Sequence, residues 1–193
     1  MDRNSQHSHG YKLESQIREA FGRVTYTQTC HDKIINRLLK KNNCIKIWQI
    51  FLSALTTSGF IVSILSNDNI AGILGAITSL ALLMLNAYTK NFELIQNAQK
   101  HKEASDFLWK VREEYVSLLT DFDFLDATEI MLKRDELQTR TSEIYTNSPR
   151  TDAKSYIESQ KALKLDEEQT FSENEIDIML PNSIRRSNRE NID

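Results

Sequence analysis

Glycine and proline are scarce in this chain, with 5 and 2 among 193 residues. Sheets joined by tight turns need both, so their shortage favours long helices and an all-α fold. Cysteine is almost as rare. Cys30 and Cys44 form neither a CxxC pair nor a disulfide framework, and they read as free thiols in a reducing compartment. Phosphate-cradling loops need clustered glycines, and none occur. There is no G-x-S-x-G, no HExxH and no Cys/His metal spacing. His7 and His9 lie in a polar tail, and His101 stands between Lys100 and Lys102, where it reads as part of a solvated helix face. Asp121, Asp123 and Asp126 could hold a hard cation, but turn and cap roles explain them more simply. No catalytic constellation emerges, and the reading is of a protein that is not an enzyme and needs no cofactor or metal.

The chain is rich in one long stretch without charge. Its average looks water-soluble, with 26% charged residues and a net charge of -3. From Ile45 to Tyr88, however, charge nearly vanishes, while both flanks are dense in Lys, Arg, Glu and Asp. Two uncharged runs stand out, 47–65 and 70–88, separated by Ser66-Asn67-Asp68-Asn69. A nineteen-residue helix is about 28 Å long, close to the roughly 30 Å of a bilayer's hydrocarbon core. Soluble core helices rarely run so long without charge on any face. Trp48 and Tyr88 suit the interfacial aromatic belt. The first apolar run begins more than forty residues in, so a cleavable signal peptide is not expected. Lys33, Arg37, Lys40, Lys41 and Lys46 precede the pair, and Lys90, Lys100 and Lys102 follow it. The excess of positive charge predicts that both termini are cytoplasmic and the turn is outside. These basic residues are accounted for by insertion and by anionic lipid, so direct nucleic-acid binding is not expected.

The division that follows is a polar tail at 1–10, a cytoplasmic helix at 11–43, a transmembrane hairpin at 44–90, a cytoplasmic helical region at 91–181 and a polar tail at 182–193. Leu13, Ile17, Phe21, Val24, Ile34 and Leu38 recur at helical spacing before the hairpin. Phe92, Ile95, Leu108, Val111, Tyr115 and Leu118 recur after it, and with no breaker between they predict one unbroken helix to about Leu119. A turn at 120–125 precedes a helix capped by Asp126 and Glu129 and ending near Asn147. That helix carries Ile130, Leu137 and Ile144 at seven-residue spacing, a narrow seam for a partner helix. Ser148 and Pro149 predict the start of another helix running to about Leu165. Ser172 and Glu175 form a capping box for a short helix stopped by Pro181. Together these segments predict a three- or four-helix bundle below the hairpin.

Polar residues inside the spans fall on stripes. Gln49, Ser53, Thr56 and Ser63 share one face of the first span, and Gly72, Gly75, Ser79 and Asn86 lie mostly along one stripe of the second. Polar atoms in hydrocarbon are costly unless paired or wetted. The stripes therefore either line a water-filled path in a homo-oligomer or pack helices closely through small and hydrogen-bonding residues. Two helices cannot enclose water, so a path would need several subunits.

These features together resemble the SLATT domain, a two-transmembrane effector associated with nucleotide-sensing and nucleotide-synthesising domains in bacterial conflict systems. The resemblance is carried by AFGRVTYTQTCHDKIINRLLKK before the hairpin, by its minimal turn, and by KHKEASDFLWKVREEYVSLLTDF after it, with His101, Trp109, Arg112 and Tyr115 on one helix face. SYIESQKALKLDEEQTFSENEIDIMLP resembles the C-terminal extension of one subgroup, often found beside reverse transcriptases. The resemblance implies a pore-forming antiviral effector of the inner membrane, triggered by a separate sensor, nucleotide-signal synthase or reverse transcriptase. It supplies no catalytic residues. The alternative is a membrane-anchored adaptor whose helix with Ile130, Leu137 and Ile144 recruits a partner.

Overall fold

In the computed structural model, residues 3–66 and 69–186 are described, and among them there is no strand. Helix α1 spans Arg3–Ser66, α2 Asn69–Phe92, α3 Leu94–Thr120, α4 Ala127–Asn147, α5 Ala153–Lys164 and α6 Glu173–Met179. Short 3-10 turns occur at Phe122–Phe124 and Asn182–Ile184. The polar turn expected at 66–69 falls partly outside the described residues.

The 64 residues of α1 form one helix, about 96 Å long at roughly 1.5 Å per residue. The boundary expected near residue 43 is thus absent as a break in secondary structure. Nothing in the sequence of α1 interrupts it: proline is absent, and Gly10 and Gly22 cost only about 1 kcal/mol each relative to alanine. Its upper part pairs with α2 as an apolar hairpin. Its lower part packs against α3, α4 and α5 as a polar-surfaced bundle.

The bundle's core is a single cluster. Leu13, Ile17, Ala20 and Val24 of α1 meet Leu108, Val111, Tyr115 and Leu118 of α3, and Ile130 and Leu137 of α4 close it. Phe21, Leu119, Phe122, Leu125, Met131 and Ile144 pack around its edge. The seam of Ile130, Leu137 and Ile144 is therefore spent inside the chain, against α1 and α3, and does not face an outside partner. The hairpin is the reverse case. Ile47, Ile50, Phe60, Ile64, Ile70, Ile73, Leu74 and Leu83 are all more than half exposed, a surface that water does not tolerate and hydrocarbon does.

Three sequence expectations are corrected. The helix leaving the hairpin is not continuous. Glu93 adopts φ 41° and ψ 46°, a left-handed conformation that separates α2 from α3. A non-glycine residue pays about 1 kcal/mol for it. Asn97 restores two bonds across the joint, its backbone N–H donating to the Glu93 carbonyl at 2.9 Å and its side-chain amide to the Phe92 carbonyl at 3.2 Å. The break also resets which face is inward. Phe92 and Ile95, expected on the core face, are about half exposed, and Leu94, Ala98 and His101 are buried instead. His101 is thus a core residue and not part of a solvated face.

The third correction concerns α5, which starts four residues later than Pro149 suggested. Its cap is Asp152 and not Ser148: Asp152 accepts from the Ser155 N–H, and the Ser155 hydroxyl completes the box. Asp126 caps α4 by accepting from the N–H groups of Thr128 and Glu129, and Ser172 with Glu175 caps α6, both at the expected places.

Candidate functional site

The hairpin is where the sequence concentrates polar atoms in an apolar setting. Two side-chain contacts cross its seam, and two bonds to the backbone of the same helix accompany them. The Gln49 amide donates to Asn86 Oδ1 at 2.8 Å. The Thr56 hydroxyl is shared between the Leu52 carbonyl at 2.8 Å and Thr78 Oγ1 at 3.0 Å. Thr78 in turn donates to the Gly75 carbonyl at 2.9 Å. Beyond the Thr56–Thr78 rung, on the side of the turn, the backbones approach closely at Gly59 and Gly75. A methyl group added at Gly59 would sit 3.5 Å from the Ala71 carbonyl oxygen and 3.6 Å from the Gly75 Cα. There is room for a methyl. Small residues here let two helices meet while hydrogen bonds hold them, since lipid supplies no hydrophobic force between them.

The two stripes read from the sequence are therefore divided. Gln49, Thr56, Gly75 and Asn86 meet in the seam. Ser53 and Ser79 are exposed and stand outside it, and Gly72 is half-buried. The side chain of Ser63 lies outside the described residues. Gly59 and Thr78 are seam residues that the stripe reading missed. Gly59 was legible at three residues after Thr56, and Thr78 at three after Gly75.

A second polar line faces outward. Gln49, Ile50, Ser53, Ala54, Thr57 and Ser58 line an open groove, with Leu82 and Asn86 along its other edge. The Thr57 hydroxyl donates to the Ser53 carbonyl at 3.0 Å, and that of Ser58 to the Ala54 carbonyl at 2.9 Å. These bonds to the preceding turn satisfy both hydroxyl protons without a partner, so the groove can face lipid at small cost. At the bundle end, Trp48 packs edge-on to Phe51, Tyr88 stacks on Phe92 and Lys41 lies 5.0 Å over the Tyr88 ring. Such a collar of aromatics and lysines suits a headgroup boundary.

Directly below the hairpin, a polar belt replaces the apolar core. Gln28, Thr29 and His31 of α1 and His101 and Ser105 of α3 are all buried. His31 Nδ1 and His101 Nδ1 are 2.8 Å apart, so one ring donates and the other accepts. The Ser105 hydroxyl donates to Asp32 at 2.6 Å. Burial, followed by the nearby His101, lowers the His31 pKa to about 4, and His101 is lowered too, chiefly by burial. Burial pushes the Asp32 carboxyl up, against the opposing pull of the Ser105 hydrogen bond. Around the belt, Lys33 meets Glu168 at 2.8 Å and Arg37 meets Asp152 at 2.6 Å and Glu158 at 3.6 Å. Arg112 reaches Gln28 and Gln169, and Gln169 reaches Thr29. Tyr115 is fully buried in the core, Arg112 sits half-buried at the belt and Trp109 is half exposed beside them. The search for apolar residues at helical spacing gave His31 and Ser105 no role and read His101 as solvated, although all three occupy core positions with polar side chains.

Among the described residues, two helices are long and apolar enough to cross a membrane. A family model described as SMODS and SLOG-associating 2TM effector domain family 4 matches residues 13–175. The chain belongs to this family. The match runs from the first core residue of α1, Leu13, to the capping box of α6, so the family's domain includes the bundle as well as the hairpin. Membership in a two-transmembrane effector family and the exposed apolar surface of the hairpin agree on membrane association. A search of curated proteins and of solved structures found no match.

Proposed function

We propose that this protein is a pore-forming effector of a bacterial conflict system, assembling through its hairpins to permeabilise the inner membrane. The outward groove of Ser53, Ala54, Thr57 and Ser58 carries this reading. It is a line of small and hydroxylated residues on a hairpin whose outer surface is mostly apolar. In a single copy the groove faces lipid with its Thr57 and Ser58 protons already bonded. In a ring of copies the same groove faces a common axis, where the hydroxyls and carbonyls can exchange those bonds for water. The seam residues Thr56 and Thr78 hold each hairpin together, while Gln49 and Asn86 pair across the seam and also border the groove.

Both termini and the bundle lie in the cytoplasm, and the 66–69 turn lies outside. The flanking lysines Lys40, Lys41, Lys46 and Lys90 and the collar at Trp48 and Tyr88 support that orientation. Continuity of α1 gives the bundle a direct mechanical link to the first span, while the Glu93 joint uncouples α3 from the second. A partner acting on the bundle, such as a separate sensor, nucleotide-signal synthase or reverse transcriptase, would thus move α1. The adaptor alternative loses the surface it relied on, because Ile130 and Leu137 are buried in the protein's own core.

Purified full-length protein in planar bilayers tests the proposal. We expect stepwise ion conductance, reduced severalfold when Ser53→Leu and Thr57→Leu fill the groove, with insertion unchanged. Silence under every assembling condition would count decisively against a pore.

A further inference from the structure

Helix α5 meets the rest of the protein with its least apolar side. Its buried residues are Ser155, Ser159 and Ala162, while Tyr156 and Ile157 are 55% and 65% exposed and the following Leu165 is 75% exposed. A helix built only to cap a bundle would do the opposite. It is held to α1 by Arg37 on Asp152 and Glu158 and by Tyr156 stacked on Tyr26 at 5.8 Å, and the buried hydroxyls of Ser159 and Tyr26 find no partner. The outward side has its own pattern. Lys154, Ile157, Lys161 and Lys164 recur at spacings of three, four and three, which places them on one stripe. Lys161 is 3.6 Å from Asp166 and Lys164 lies 5.9 Å over the Tyr26 ring, exposed contacts that leave the stripe cationic.

Helix α6 is the complement. It is capped at its start by Ser172 and Glu175, yet none of its residues is buried. Ile176, Ile178 and Met179 are 44%, 61% and 64% exposed. Seven residues are too few to hold a helix in water without a surface to lie on. Its charges are Glu173, Glu175 and Asp177; Glu173 meets Arg186 at 3.3 Å, Glu175 closes the capping box and Asp177 accepts the Arg186 backbone N–H. The link at 165–172 is pinned to α1 and α3 by Glu168 on Lys33 and by Gln169 on Thr29 and Arg112, with Glu167 and Gln169 both at positive φ. That fixes where α6 leaves the bundle.

We propose that α6 of one copy lies on the Lys154–Ile157–Lys161–Lys164 stripe of α5 in a second copy. Glu173 and Asp177, one turn apart on the same face of α6, then meet the lysines of the stripe, and Ile176 beside them covers Ile157 and Leu165. An anionic lipid surface would suit the α5 stripe alone but would repel the acidic α6. This deepens the homo-oligomer reading above and rests on it, naming the contact that joins copies outside the membrane.

The test uses full-length protein in liposomes with Cys44→Ser, leaving the buried Cys30. Ile157→Cys and Ile176→Cys are placed on two differently tagged copies and mixed before a short thiol crosslinker is added. We expect a product carrying both tags. Lys154→Glu with Lys161→Glu on the first copy should cut its yield at least fivefold, and Glu173→Lys with Asp177→Lys on the second should restore it. No mixed product, an unchanged yield on charge reversal, or crosslinking confined within a chain carrying both cysteines would overturn the proposal. The crosslink is read without conductance. A crosslinked protein that stays silent in bilayers would therefore defeat the pore and leave this contact standing, and conductance without the crosslink would do the reverse.

Discussion

His31 and His101 share a single hydrogen bond of 2.8 Å between their Nδ1 atoms, buried between α1 and α3 just below the hairpin. The bond needs one nitrogen to donate and the other to accept, so it exists only while at least one ring is neutral. Adding a second proton places two donors and two charges within the same 2.8 Å. The pair thus holds the two long helices together at neutral pH and opposes them in acid.

The pH dependence follows with a definite sign. His31 titrates at about 4 in the folded protein against 6.5 when free, so the unfolded chain binds more protons in that window. Stability is full above pH 6.5 and falls as pH drops toward 4, by on the order of 3 kcal/mol for a shift of this size. Asp152 and Arg37 face His101 with opposing effects, and Asp32 contributes an opposite slope because its pKa is raised. The double variant His31→Leu with His101→Leu keeps those groups and removes the rings. Thermal unfolding in detergent between pH 7 and 4.5 should show a clearly shallower decline for the variant; parallel curves would remove the histidines as the cause.

Gln49 and Asn86 should be coupled energetically. Gln49→Leu strands the Asn86 amide in an apolar setting and should cost about 1 kcal/mol. Asn86→Leu should cost a similar amount, while the double variant should cost less than the sum because neither amide is left unpaired. A double-mutant cycle on hairpin unfolding checks this, and strict additivity would show that the 2.8 Å contact contributes nothing.

Gly59 should accept a methyl and reject anything larger. The contacts that an added Cβ would meet, at 3.5 and 3.6 Å, are ordinary van der Waals distances. Gly59→Ala should be neutral or slightly stabilising, helped by alanine's higher helix propensity, worth about 1 kcal/mol over glycine. Gly59→Leu should force α1 and α2 apart and lower the unfolding temperature by several degrees. An equal effect of Ala and Leu would mean that the backbones do not approach as described.

The Glu93 joint should be sensitive to side-chain shape and not to charge. At φ 41° an asparagine is tolerated, whereas a β-branched residue clashes. Glu93→Asn should leave stability unchanged, and Glu93→Val should cost about 1–2 kcal/mol. Equal stability of the two would indicate that α2 and α3 join as one straight helix.

Local chemistry settled a good deal. The absence of charge over 47–65 and 70–88 pointed to a pair of bilayer-length helices, because no soluble surface can present so many apolar side chains on all sides. The caps at Asp126 and Ser172 marked the starts of α4 and α6, because an N-cap is a contact within one turn. The family resemblance was legible for the same reason, resting on the order and length of the helices. Three-dimensional contact decided the rest. Glu93 carries no signal of a break, yet the packing of Leu94, Ala98 and His101 against α1 demands a shift of face, and a left-handed residue supplies it. His101, flanked by lysines, looks solvated until α1 brings His31 to its ring. The outward turn of Ile157 could not be read from α5 alone, since which side of an amphipathic helix is covered depends on what else is near enough to cover it.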